Sequence, residues 1–170
     1  MDSSMIGIDG GAILLDRIPV ARGHWNFKAY EGDVEYNDCG RVLNRIIADW
    51  SQENLIVTVG KQLILDRLFG LSAAAAITGT AVGTSATAAA VGDTALTTPV
   101  FQAFDATPTR SALVVTAVTT YNTATANINI QESGLLTVAA GVLLNRLAPV
   151  LSFTKTTAMS LAITTTITQA

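Results

Sequence analysis

Apolar and polar positions follow different periods in different parts of this chain, and the clearest period is two. In residues 112–121, Leu113, Val115 and Ala117 fall on one side, and Val114, Thr116 and Val118 on the other. That pattern predicts a strand covered on both faces. Residues 125–130 set Ala126, Ile128 and Ile130 against Asn127 and Asn129. Residues 142–147 form a third run and residues 161–168 a fourth, in which Leu161, Ile163, Thr165 and Ile167 share a face. Asn122, Gly134, Gly141 and Pro149 punctuate the gaps as turn residues do. Runs at this spacing predict a mainly β fold, an antiparallel β-sandwich of jelly-roll or Ig-like type.

Upstream the period lengthens. Val42, Leu43, Ile46, Ile47 and Trp50 recur at helical spacing, Arg41, Arg45 and Asp49 fall opposite, and Asp38 can cap the start, so an amphipathic helix is expected over residues 38–51. A second helix is expected over 59–69. Leu65, Leu68 and Phe69 form its apolar stripe, Lys61 and Asp66 lie off it, and Gly70 stops it. Residues 55–58 read as a short strand leading into that helix. Residues 1–36 hold five Gly, a Pro and scattered apolar positions, the composition of an extended arm or short strands that order against another surface. Residues 72–92 read as a long loop with room for one short strand. The resulting division is an attachment region, 1–54, made of arm and helix, and a sandwich domain, 55–170.

Charge sharpens this division. Charged residues make up 14% of the chain, against a usual figure of about 25%. Residues 1–71 carry seven Lys or Arg and ten Asp or Glu, so the whole formal net charge of −3 lies there. The remaining 99 residues hold only Asp93, Asp105, Arg110, Glu132, Arg146 and Lys155, among 22 Thr and 22 Ala. Thr suits a pleated sheet and Ala permits close approach of neighbouring surfaces. So little charge on a mean hydropathy of +0.43 implies a surface covered by partners or by copies of the same chain.

The acidic balance argues against nucleic acid as a partner, since phosphate neutralisation needs clustered cations. Residues 72–92 are uncharged but lack the large apolar side chains that drive membrane insertion, so no membrane span is expected. Residues 1–11 show no basic region followed by an apolar core, so no secretory leader is expected. One cysteine permits no disulfide within the chain, which is compatible with folding in the cytoplasm.

Candidate chemistry is sparse. His24 is the only histidine, so neither a histidine metal cluster nor a histidine-based triad has its parts. Cys39, at the start of the expected helix, reads as a buried apolar thiol. The segment Gly79-Thr80-Ala81-Val82-Gly83-Thr84 has a passing likeness to a phosphate loop but lacks the Lys before the hydroxyl residue. Glu31, Asp33, Glu35 and Asp38 do not match the spacing of a calcium loop and read as a solvated edge. No catalytic, cofactor-binding or metal-ligating residue is therefore expected, and no enzyme. His24, Trp25, Phe27, Tyr30 and Tyr36 are the expected partner contacts, because aromatic residues concentrate at interface centres.

Four short segments carry a resemblance. They are Val91-Gly92-Asp93-Thr94-Ala95-Leu96 after a Gly/Thr-rich stretch, Ile130-Gln131-Glu132-Ser133-Gly134-Leu135, Leu143-Leu144-Asn145-Arg146, and Lys155-Thr156-Thr157 before the last alternating run. In that order they resemble a pattern in bacteriophage virion proteins of the small β-sandwich type, over about residues 55–170. The resemblance implies a non-enzymatic virion component: head decoration, collar or tail-fibre-related. The expectation drawn from it is a capsid cement protein on the outer capsid, assembled as an oligomer such as a trimer and bound to the major capsid protein or another virion protein. A tail, neck or fibre-base component is the alternative. A carbohydrate- or ligand-binding sandwich module is a second, disfavoured because Trp25, Phe27, Tyr30, Tyr36 and Trp50 all precede the sandwich.

Overall fold

The computed structural model describes residues 22–71, 75–150 and 152–168. Two five-stranded antiparallel sheets face each other as a β-sandwich. The first sheet has the order β2 (Ile46–Glu53), β1 (Arg22–Glu31), β12 (Met159–Thr168), β7 (Val114–Tyr121) and β6 (Thr109–Ser111). The second runs β3 (Leu55–Ile56), β10 (Leu143–Leu147), β9 (Glu132–Leu136), β4 (Gly79–Gly83) and β5 (Val100–Ala103). A two-stranded ribbon of β8 (Asn129–Ile130) and β11 (Phe153–Thr154) completes the strands.

β1 alternates from Gly23 to Ala29. Trp25, Phe27 and Ala29 are fully buried, while His24 is exposed and Asn26 and Lys28 are half-buried. Its neighbour β2 turns Ala48 and Trp50 towards the same interior. Phe27 and Trp50 are register partners whose rings stack at 5.0 Å and 4°. Trp25 extends the stack at 6.0 Å, and Phe153 tilts against Trp50 at 5.3 Å. Offset stacking adds to the area term when such rings are buried. Ile163, Leu161 and Tyr121 continue this core on the first sheet, and Leu135, Leu144 and Leu147 meet it from the second.

β4, β9 and β10 are buried at every position because both of their faces are covered. Val82, Leu135 and Leu144 point into the core between the sheets. Ala81, Leu136 and Leu143 point the other way, into a second cluster with Val57 and Leu96. Two polar links cross the sandwich. Tyr121 donates its hydroxyl to the Thr80 carbonyl at 2.8 Å, and the Thr80 and Thr119 hydroxyls pair at 3.0 Å. Burial pushes the Tyr121 phenol far above its ordinary value, so it stays a donor.

The single helix among the described residues, α1 (Thr58–Phe69), ends at Gly70, whose φ of 62° is the left-handed conformation that closes the last turn. It rests on β10 through Gly60 and Leu63. The strands expected over 112–121, 142–147 and 161–168 are present as β7, β10 and β12, and the short strand before the helix as β3. The short strand allowed within 72–92 is β4.

Several expectations are corrected. No helix spans 38–51. The Asn37 side chain accepts hydrogen bonds from the Cys39 and Arg41 amides, Tyr36 bridges to Val42, and the chain turns there before β2 begins at Ile46. Three of the apolar positions that suggested a helix, Ile46, Ile47 and Trp50, lie in β2, where Trp50 stacks on its register partner Phe27. The attachment region expected over 1–54 does not stand apart. From Arg22 on it belongs to the sandwich, with β1 between β2 and β12. The arm residues 1–21 lie outside the described residues. Of the strand expected over 125–130 only β8 forms, since Ala126 adopts a φ of 54° and interrupts extension. Cys39 is exposed in its turn, not buried.

Candidate interaction surface and a buried ionic network

The five aromatic-cluster residues expected to contact a partner are divided by the fold. Trp25 and Phe27 are 0% exposed and lie within the chain's own core. Tyr30 is buried too, and burial raises its phenol pKa. Only His24, on β1, and Tyr36, at the turn, reach the surface. His24 and Cys39 are both exposed, and among the described residues neither side chain makes a hydrogen bond or ion pair. Asp33 of the acidic run receives the Thr123 amide at 2.7 Å and its hydroxyl at 3.1 Å, holding a loop. Among the described residues no cluster of His, Cys, Asp or Glu is placed to hold a metal ion, and no helix is long and apolar enough to cross a membrane.

The exposed apolar surface lies elsewhere. Because α1 turns Gly60 and Leu63 inward and Val59 packs on the second cluster, the apolar side chains of its later turns face out. Leu65 is 51% exposed, Phe69 66% and Leu68 73%, with Ile64 and Leu71 beside them. The stripe read from the sequence is therefore the outer face of the helix. Beside it runs a cleft of about 620 Å³ walled by Leu63, Ile64, Leu68, Ala76 and Leu144. Single exposed apolar residues are ordinary, but a contiguous group on one helix marks an interaction surface. Leu43, ahead of β2, and Ile46 and Ile47, at its start, are further exposed apolar residues.

Behind the second sheet lies a polar feature that sequence reasoning missed. Glu132 on β9 is 0% exposed and Arg146 on β10 is 4% exposed. The Arg146 Nε donates to Glu132 Oε2 at 2.8 Å, and its Nη1 donates to Asp93 Oδ2 at 2.7 Å. Nη2 reaches the Thr87 carbonyl at 3.1 Å. The other Glu132 oxygen, Oε1, accepts the Thr97 amide at 2.6 Å and the Ser85 amide at 3.2 Å. The loop between β4 and β5 is thus pinned onto the sheet at four residues. Gly83 is required beneath it, because a Cβ there would lie 2.6 Å from both Glu132 Oε1 and the Thr97 carbonyl.

Electrostatics follow the geometry. The Ala90 amide holds the Asp93 carboxyl below its ordinary range, with the Arg146 guanidinium adding to the effect against some desolvation. Burial alone would lower the Arg146 pKa, but its hydrogen bonds to Asp93 and Glu132 outweigh that and raise it. Lys155, also buried, donates to Asn127 Oδ1 at 3.0 Å, and desolvation lowers its pKa against the pull of Asp33. Asp105 holds the Thr120 amide at 2.9 Å. The signal in the sequence was rarity. All six charges after Leu71 have a hydrogen-bond partner, and the buried ones among them, Glu132, Arg146 and Lys155, need one in so apolar a stretch.

Three of the four short segments singled out in the sequence meet here: Asp93 comes from the first, Glu132 from the second and Arg146 from the third. Asn145, in the third segment, accepts the Leu135 amide of the second at 2.9 Å. No family model, curated protein or solved structure matches the chain.

Proposed function

We propose that this protein is a non-enzymatic structural component of a tailed-phage particle, first of all a capsid cement protein that binds the outer capsid as an oligomer. The observation that carries the reading is the convergence of the phage-like segments on one ionic network. Their shared residues then serve to pin a loop onto a sheet, which is a structural role and asks for no substrate. The exposed leucines and Phe69 of α1 supply an apolar patch of the kind an assembly contact covers. The scarcity of charge beyond Leu71 leaves little repulsion between packed copies.

The test is reconstitution. Purified protein added to undecorated capsids should bind in fixed stoichiometry and raise the temperature at which they break open. Leu68→Ser combined with Phe69→Ser should weaken binding while leaving the circular dichroism unchanged. Removal of residues 1–21 tests the arm without removing β1. Attachment to tails alone, or no attachment to any part of the particle, would sink the cement reading.

A further inference from the structure

The apolar outer face of α1 is left uncovered by the described residues. Ile64, Leu65, Leu68, Phe69 and Leu71 all stand exposed on it. Beside them a cleft of about 620 Å³ lies between the helix and Ala76 and Ile77, with room for several apolar side chains. A contiguous face of this kind calls for a cover.

The chain carries a candidate of its own. Residues 1–21 precede β1, and within them Ala12, Ile13, Leu14 and Leu15 are an unbroken apolar run followed by Asp16. The point where that arm joins the sandwich is fixed. The Gly23 carbonyl, at the start of β1, accepts the Asn54 amide at 3.2 Å, and Asn54 leads through β3 and Val57 directly into α1. Arm and helix therefore start from one place.

The two paths from that place match in length. Asn54 to Thr58 spans at most about 13 Å and α1 then rises about 1.5 Å per residue, so Leu65 to Leu71 lie roughly 24–33 Å along it. Leu15 to Ala12 stand seven to ten residues before Arg22, which at about 3.3 Å per residue is roughly 23–33 Å. Charge agrees with this register. Asp16 falls at about 20 Å and Lys61 at about 18 Å, and Lys61 is exposed with no ion pair among the described residues. A contact on so short a tether has an effective concentration in the millimolar range, so the burial of a few side chains suffices to hold it.

We propose that residues 12–15 seat on the outer face of α1 of the same chain, against Leu65, Leu68 and Phe69, with Asp16 paired to Lys61. The inference concerns the free chain and does not rest on the virion reading.

The experiment uses the full chain with Cys39→Ser, Leu15→Cys in the arm and Leu68→Cys on the helix. Mild oxidation should close a disulfide within the chain, read by intact mass and by mobility on a non-reducing gel. It should form at least about tenfold faster than the one joining Leu15→Cys to Leu113→Cys, an exposed position beside β6 at the opposite edge of the first sheet. Equal rates overturn the proposal, and so do disulfides formed only between chains, which would give the face to a second copy. Trypsin supplies a second reading that needs no cysteine. Cleavage after Arg17 should be about fivefold faster in Leu68→Ser with Phe69→Ser, because cleavage follows the population of the unseated arm. Unchanged cleavage overturns the proposal even if a cysteine variant fails to fold.

Discussion

The core between the sheets and the Glu132–Arg146 pair behind the second sheet are both buried, yet they are held by opposite means. Around Trp25, Phe27 and Trp50 the stabilisation is area and ring stacking, which is non-directional and degrades gradually with each atom removed. Around Glu132 and Arg146 it is a set of directed bonds, each of which leaves a charge or a backbone amide stranded if its partner goes. The contrast teaches where this chain tolerates change. The apolar core should accept conservative swaps, and the ionic network should not.

The sharpest way to break that comparison is Glu132→Ala. It strands the Arg146 guanidinium together with the Ser85 and Thr97 amides, and should cost about 5 kcal/mol in urea unfolding. Replacing both partners, Glu132→Leu with Arg146→Met, should recover part of that loss, because no guanidinium is then stranded, while the Ser85 and Thr97 amides and the Asp93 carboxyl still lack their partners. If the double variant is as unstable as the single one, the loss arises from the stranded amides or from packing and not from a stranded charge.

Phe27→Ala comes next, at about 4 kcal/mol, while Phe27→Leu should lose less than half of that. Equal losses for the two would show that the stack is as demanding as the network.

Asp93→Asn should cost about 1–2 kcal/mol, since the amide keeps an acceptor but gives up the charge. Its pH dependence has a definite sign. The folded-state pKa of Asp93 is lowered, so its contribution is complete above the ordinary carboxylate range and is lost as pH falls below about 4. The wild-type chain should therefore lose more stability than Asp93→Asn over that acid limb, as measured by unfolding at a series of pH values.

Tyr121→Phe is the smallest of the four, about 1 kcal/mol, and should loosen the link to Thr80 without altering the sheets.

Much of the sandwich was legible. β7, β10 and β12 announce themselves by alternation or by runs of large apolar residues, and α1 by its spacing and by Gly70. β1 was legible and passed over, since Trp25, Phe27 and Ala29 alternate with Asn26 and Lys28. Residues 38–51 misled because five apolar side chains satisfied a helical period by chance, while the Asn37–Gly40 turn was the stronger local signal. β4 and β9 gave no period at all. Both of their faces are buried, so Gly, Ala, Ser and Thr succeed one another without polar alternation.

By itself the sequence determined the class of fold, the uneven distribution of charge and the existence of one short helix, because period, composition and turn residues act locally. Only the tertiary structure decided which apolar face of α1 stays outside, that Trp25 and Phe27 belong to the interior, and that Asp93, Glu132 and Arg146 form one network. Those outcomes depend on which surfaces meet across tens of residues, and hydrogen bonds between positions 53 residues apart leave no trace in local spacing.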